Sequence, residues 1–175
     1  MAASAPEAWL RGPVPGISPA LQPAAHALIQ ALEDAERLAA SLDTATLWRT
    51  PGNAASIGFH LRHMANALDR LFTYARGEQL SEAQRAALAA EKTPTPEVDA
   101  ATLLAGLRRA VERALDQLRA TRDEELDEPR AVGRARLPST VRGLLYHAAE
   151  HTARHAGQVS TTVKVLEGLD AAGRG

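Results

Sequence analysis

From about Pro23 to Leu42 the apolar residues Leu28, Ile29, Leu32, Ala35, Leu38, Ala39 and Leu42 return every three or four positions, the period of a helix that buries one face. The same period runs from Ser56 to Gly77 along the stripe Ile57, Leu61, Met64, Leu68 and Leu71, with Asn53 or Ser56 as cap and Gly77 as stop. Asp99 opens a third stretch, in which Leu103, Leu104, Leu107, Val111, Leu115 and Leu118 hold the period to about Thr121. A fourth begins at Pro138-Ser139, keeps Leu144, Ala148, Thr162 and Leu166 on one side, and is expected to stop at Gly168. The pattern predicts an all-α fold, a four-helix bundle.

The intervening segments read differently. Ser81 and Gln84 stand at capping-box spacing, so SEAQRAALAAE predicts a short connecting helix before Thr93-Pro94-Thr95-Pro96 interrupts the chain. The charged segment from Asp123 to Arg136, with Pro129 and Gly133, shows no sustained period and is expected to be a loop. Residues 1–17 carry Pro6, Pro13 and Pro15, so they predict an extended N-terminal arm, with Trp9 as the residue that pins it. The expected organisation is one domain over residues 1–175: the arm, a bundle over 18–168 and a frayed tail over 169–175.

Composition supports the helical reading: 45% of residues are hydrophobic but only 3% are aromatic, so the core rests on Ala, Leu and Val, which suit closely packed helices. Twenty basic residues against twenty-one acidic ones leave a net charge of −1, with no general pull toward nucleic acid or anionic lipid. The arginines from Arg108 to Arg142 are interleaved with Glu112, Asp116, Asp123, Glu124, Glu125, Asp127 and Glu128 and have no aromatic residues among them for stacking, so no nucleic-acid partner is expected. No apolar run approaches the roughly 20 residues that span a bilayer, and the opening residues lack a secretory pattern. The expectation is a cytoplasmic protein with no membrane partner. With no cysteine, a metal site has to use His, Asp or Glu.

Five of the six histidines fall in two predicted helices: His60 and His63 in the second, His147, His151 and His155 in the last. Residues four apart stack one turn above another, so His151 and His155 can offer two imidazoles to one ion. Both straddle the direction of Leu144, Ala148, Thr162 and Leu166 and so point inward, whereas His147 is rotated by roughly 60° and reads as a flanking residue. His63 lies beside the main stripe of its helix with Ser56, Ala67, Arg70 and Tyr74, a face polar enough to line a cleft. Three histidines on two helices leave a coordination position open, the arrangement of a catalytic metal. Zinc and nickel both accept imidazole. His60 and His26, each taken alone, read as core histidines rather than as ligands.

SIGFHLRHMANALDRL followed by HAAEHTARHAGQ resembles the DinB/YfiT-like superfamily of bacterial four-helix bundles, over a span from about Pro23 to Leu166. The resemblance implies that His63, closing S-I-G-x-H-x-x-H, is one metal ligand and that His151 and His155 are the others, with Gly157 and Gln158 completing H-x-x-x-H-x-G-Q. Many members carry Arg where this chain has Ala156. The resemblance also implies homodimers, and activities that range over metal-dependent thiol transferases, a thiol-dependent isomerase and uncharacterised proteins.

The leading functional expectation is a divalent-metal enzyme that activates a small-molecule thiol for transfer to an electrophile, with Arg70 and Tyr74 placed to hold an anionic group, although Arg70 reads equally as a surface or interface salt bridge. A metal-dependent hydrolase needs a carboxylate base, and Asp69 and Glu150, the candidates beside the histidines in sequence, are rotated away. The non-enzymatic alternative, a metal-binding or stress-response bundle, predicts a closed site with His60 or His147 as fourth ligand. The sequence leaves open whether the protein is an enzyme.

Overall fold

The structure, a computed structural model, describes residues 6–173; the first five residues of the expected arm and the last two of the expected tail lie outside them. Six helices are present among the described residues: α1 (Gln22–Ala39), α2 (Thr44–Trp48), α3 (Ile57–Ala75), α4 (Glu82–Ala90), α5 (Ala100–Ala120) and α6 (Val141–Ala172). The long helices α1, α3, α5 and α6 form the bundle. Each of α1 and α3 packs on both α5 and α6, which puts α1 and α3 on one diagonal. Their apolar stripes meet in one continuous core, in which Leu28, Leu61, Met64, Leu107, Leu118 and Leu145 are buried.

Local chemistry starts most of these helices. Ser56, Asp99 and Thr140 accept the backbone N–H of Phe59, Thr102 and Gly143, and so satisfy donors that the first turn leaves free. Ser81 and Gln84 close the reciprocal capping box that their spacing predicts, and α4 forms as expected. Helix α2 has no apolar period to announce it and is set by Asp43, whose carboxylate accepts the Thr46 N–H. Among the described residues no helix is long and apolar enough to cross a membrane.

Three sequence expectations change in the C-terminal half of the chain. The segment after α5 is not a plain loop: β1 (Pro129–Val132) and β2 (Leu137–Thr140) pair antiparallel, Pro129 opposite Thr140 and Val132 opposite Leu137. A four-residue strand is too short to show alternation, and the turn is made by Gly133 and Arg136, both at positive φ. Pro138 and Ser139 therefore belong to β2, and α6 is capped by Thr140. Helix α6 also runs through Gly168 to Ala172, where the frayed tail is expected. Gly168 has no positive φ to stop it, and Arg49 reaches Asp170 at 2.6 Å.

The arm lies on α1, but Trp9 does not pin it. Trp9 is 62% exposed and its indole N–H turns to Glu7. The anchors are buried Ala8, whose N–H reaches Gln30, and the two-pronged pair of Arg11 with Glu33 at 2.6 and 2.7 Å.

Candidate metal centre

The α3–α6 seam carries the site. His63 projects from the second turn of α3, and His151 and His155 stand one turn apart on α6. Nε2 of His63 is 2.8 Å from Nε2 of His151, and the His155 ring centroid is 4.5 Å from each of the other two. One ligand atom from each of the three lies within 4.8 Å of the others; no other group of His, Cys, Asp or Glu among the described residues does this. The donors suit an ion of borderline softness such as zinc or nickel, which take neutral imidazole.

The remaining ring nitrogens are also engaged, which fixes how each ring can present its other face. His63 Nδ1 donates to Glu91 Oε2 at 2.8 Å. His155 Nδ1 shares a hydrogen with His60 Nδ1 at 3.0 Å, and Arg154 Nη2 donates to His151 Nδ1 at 3.1 Å. Phe59, one turn before His63, stacks on its ring at a centroid distance of 5.4 Å and an interplanar angle of 10°.

Burial and neighbouring charge favour the neutral forms of His60, His151 and His155. Burial, together with the charges of neighbouring imidazoles, pushes His151 and His155 down to about 4, and burial with His63 does the same to His60. Gln158 at the His155 ring works in the opposite direction and favours its charged form. For Glu91, burial pushes the carboxyl up, but hydrogen bonds from His63 and Arg70 and the Arg70 charge outweigh it and hold the group at about 2.

Glu91 is the site residue that sequence reasoning passes over. It caps the C-terminal end of α4, is 4% exposed, and binds Arg70 Nη1 through Oε1 at 3.0 Å while holding His63 through Oε2. Of the two readings of Arg70, the structure shows the ion pair and not the anion holder: it is buried, rather than at the surface, and committed to Glu91. Tyr74 also lies away from the histidines, in a separate hollow with Leu80, Arg85, Leu88 and Arg134. His147 points to solvent beside Glu150, with its ring 5.6 Å from that of His151. His60 is buried against His155, and His26 bonds the Gly12 carbonyl on the other side of the bundle. Asp69 is taken by Gln84 and Glu150 by Arg154, so neither is a free base at the cluster.

Comparison with known proteins bears on the fold and on the family. A family model described as the DinB superfamily matches residues 27–159. A crystal structure described as the conserved protein of locus from Enterococcus faecalis superposes with a TM-score of 0.67 at 21% identity, covering 85% of this chain and 97% of that one. A DinB-like protein from Bacillus cereus superposes with a TM-score of 0.59 at 15% identity, covering 77% of this chain and 84% of that one. These likenesses show the shared fold. No curated protein matches the sequence.

Proposed function

The chain belongs to the DinB superfamily, and from that premise we propose that His63, His151 and His155 hold one divalent ion, zinc or nickel, and that the centre activates a small thiol for transfer to an electrophile. The observation that carries the reading is the convergence of three imidazoles, two of which, His63 and His155, have their outer nitrogens held by Glu91 and His60.

The ion supplies a Lewis acid that lowers the pKa of a thiol bound beside the histidines. The protein's own part is orientation. Glu91, tied down by Arg70, keeps the Nδ1 hydrogen of His63 and leaves Nε2 with its lone pair toward the other rings. A His155 ring that donates from Nδ1 to His60 is likewise left with a free lone pair on Nε2. His60, with Nδ1 spent on His155, supports an open site rather than a closed four-ligand one.

The carboxylate inventory favours a thiol over hydrolysis. Water attack calls for a general base. Both Glu91 oxygens are engaged and its carboxyl is held at about 2, while Asp69 and Glu150 are bound elsewhere. A thiol acidified by the ion needs no such base.

The test is elemental analysis of purified wild type beside His151→Ala, then a screen of small thiols against an aryl-halide reporter with and without the ion. The expected result is about one ion per chain, lost in the variant, and thiol turnover only in the loaded protein. Loaded protein without thiol-dependent turnover overturns the enzyme reading, and a wild type that takes up no ion overturns both parts.

A further inference from the structure

One turn before His63, the α3 stripe opens on a second feature. Phe59, which stacks on the His63 ring, is also a wall of a hollow of about 290 Å³. Trp48, Ser56, Arg62, Lys92 and Pro94 complete its main walls. The chain segment that supplies Lys92 is the one that supplies Glu91, so the two neighbours address the hollow and the histidine cluster respectively.

The hollow is built as a cationic recess with an aromatic wall. No Asp or Glu lines it. Among the described residues neither Arg62 nor Lys92 forms an ion pair. Arg62 is held in place without being neutralised: Nη2 donates to the Thr93 carbonyl at 2.6 Å, Nη1 to Thr95 Oγ1 at 3.3 Å, and its guanidinium carbon lies 5.2 Å from the centre of the Trp48 ring. Its Nε is buried with no hydrogen-bond partner, the one side-chain nitrogen among the described residues in that condition. The start of α3, a 19-residue helix, faces the same recess through Ser56 and adds the positive end of its dipole.

The aromatic wall has its own cause in the sequence. Trp48 lies flat against the α3 backbone at Gly58, where a Cβ would come within 2.9 Å of its ring, and its indole N–H donates to the Val98 carbonyl at 2.9 Å. Glycine at that position lets the indole in, and Val98 locks it.

We propose that this hollow is the seat of the substrate's anionic end, and that the electrophile is a small carboxylate with a flat, unsaturated or aromatic body. Two unneutralised cations call for a carboxylate. Trp48 and Phe59 call for a flat body to lie against them. The volume is at the lower limit of ligand pockets, room for one ring-sized group and too little for a nucleotide. The shared Phe59 wall puts the bound group one ring's breadth from His63. The assignment of this occupant as substrate rests on the metal-centre reading, but its binding does not require the ion.

The chain has two tryptophans, so Trp9→Phe leaves Trp48 as the sole reporter, and Trp9 is exposed enough for the change to spare the core. Metal-free Trp9→Phe protein is titrated with benzoate, benzyl alcohol and benzylamine at low ionic strength, following Trp48 emission. Benzoate is expected to saturate, with the alcohol and the amine at least about fivefold weaker. Lys92→Gln, at an exposed position that makes no side-chain hydrogen bond among the described residues, is expected to weaken benzoate about fivefold with an unchanged circular dichroism spectrum. Arg62→Lys, which keeps the charge but not the fork, is expected to weaken it as well. Equal binding of benzyl alcohol, no saturation with benzoate, or an unaltered Lys92→Gln protein overturns the proposal. Benzoate binding in a protein that takes up no ion leaves the hollow standing and removes the metal-centre reading; ion uptake without benzoate binding does the reverse.

Discussion

His63 and Glu91 are 28 residues apart in the chain and share one hydrogen across 2.8 Å, Nδ1 to Oε2. Arg70 clamps the other carboxylate oxygen, so the carboxylate is held in place and the imidazole cannot rotate without losing its hydrogen bond to it. If His63 is a metal ligand, Glu91 sets the availability of its lone pair, and outer partners of this kind are typically worth about 10- to 100-fold in affinity. Glu91→Gln is expected to weaken zinc or nickel by about that factor, read by competition with a chromophoric chelator. An unchanged affinity would show that His63 is oriented by its packing against Phe59 instead.

His60, His151 and His155 are each pushed down from 6.5 to about 4, chiefly by burial. Above pH 6.5 these rings are neutral both folded and unfolded, and contribute nothing. Between 6.5 and about 4 the unfolded chain takes up protons that the folded protein refuses, so the metal-free protein loses stability as the pH falls through that window. Urea midpoints measured in chelator at pH 7.5 and 5 should drop accordingly, and a protein with Gln at all three positions should show a smaller drop. A midpoint flat over this range would contradict the burial of these rings.

Arg154 acts against an ion. An arginine only donates, so its contact with His151 Nδ1 leaves that nitrogen unprotonated and places the His151 hydrogen on Nε2, facing His63 Nε2 at 2.8 Å. To bind an ion through Nε2, His151 has to carry its hydrogen on Nδ1, and Arg154 has to let go. The same guanidinium repels a divalent cation. Arg154→Ala is expected to tighten the ion by about threefold to tenfold in the same competition assay. Weaker binding would mean that the contact aims the ring.

The four long helices were legible because each buries one stripe, and period 3.6 is written in Leu, Ala and Val positions. The approach of His151 and His155 was legible for the same reason, as a local consequence of helical spacing. What stayed hidden depends on distant partners. Arg70 shares a face with His63, which reads as a cleft lining until the end of α4 folds over it and brings Glu91 down between them. No spacing rule links residue 91 to residue 63. The hairpin escaped because four-residue strands carry too little alternation to be told from loop. Gly58 looks like a weak position inside a helix, and its purpose appears only when Trp48, ten residues earlier, is found against it.

That contact gives the last prediction. A Cβ at Gly58 would stand 2.9 Å from three atoms of the Trp48 ring, and the indole cannot slide away while its N–H holds the Val98 carbonyl. Gly58→Ala is therefore expected to destabilise the protein by about 1–3 kcal/mol, although in an open helix the same change stabilises by up to about 1 kcal/mol. The sign separates the two effects. In a Trp48→Phe background the clash is relieved, so Gly58→Ala should become neutral or stabilising in urea denaturation, a non-additivity expected only of residues in contact. Equal costs in both backgrounds would place the strain of Gly58→Ala somewhere other than the indole.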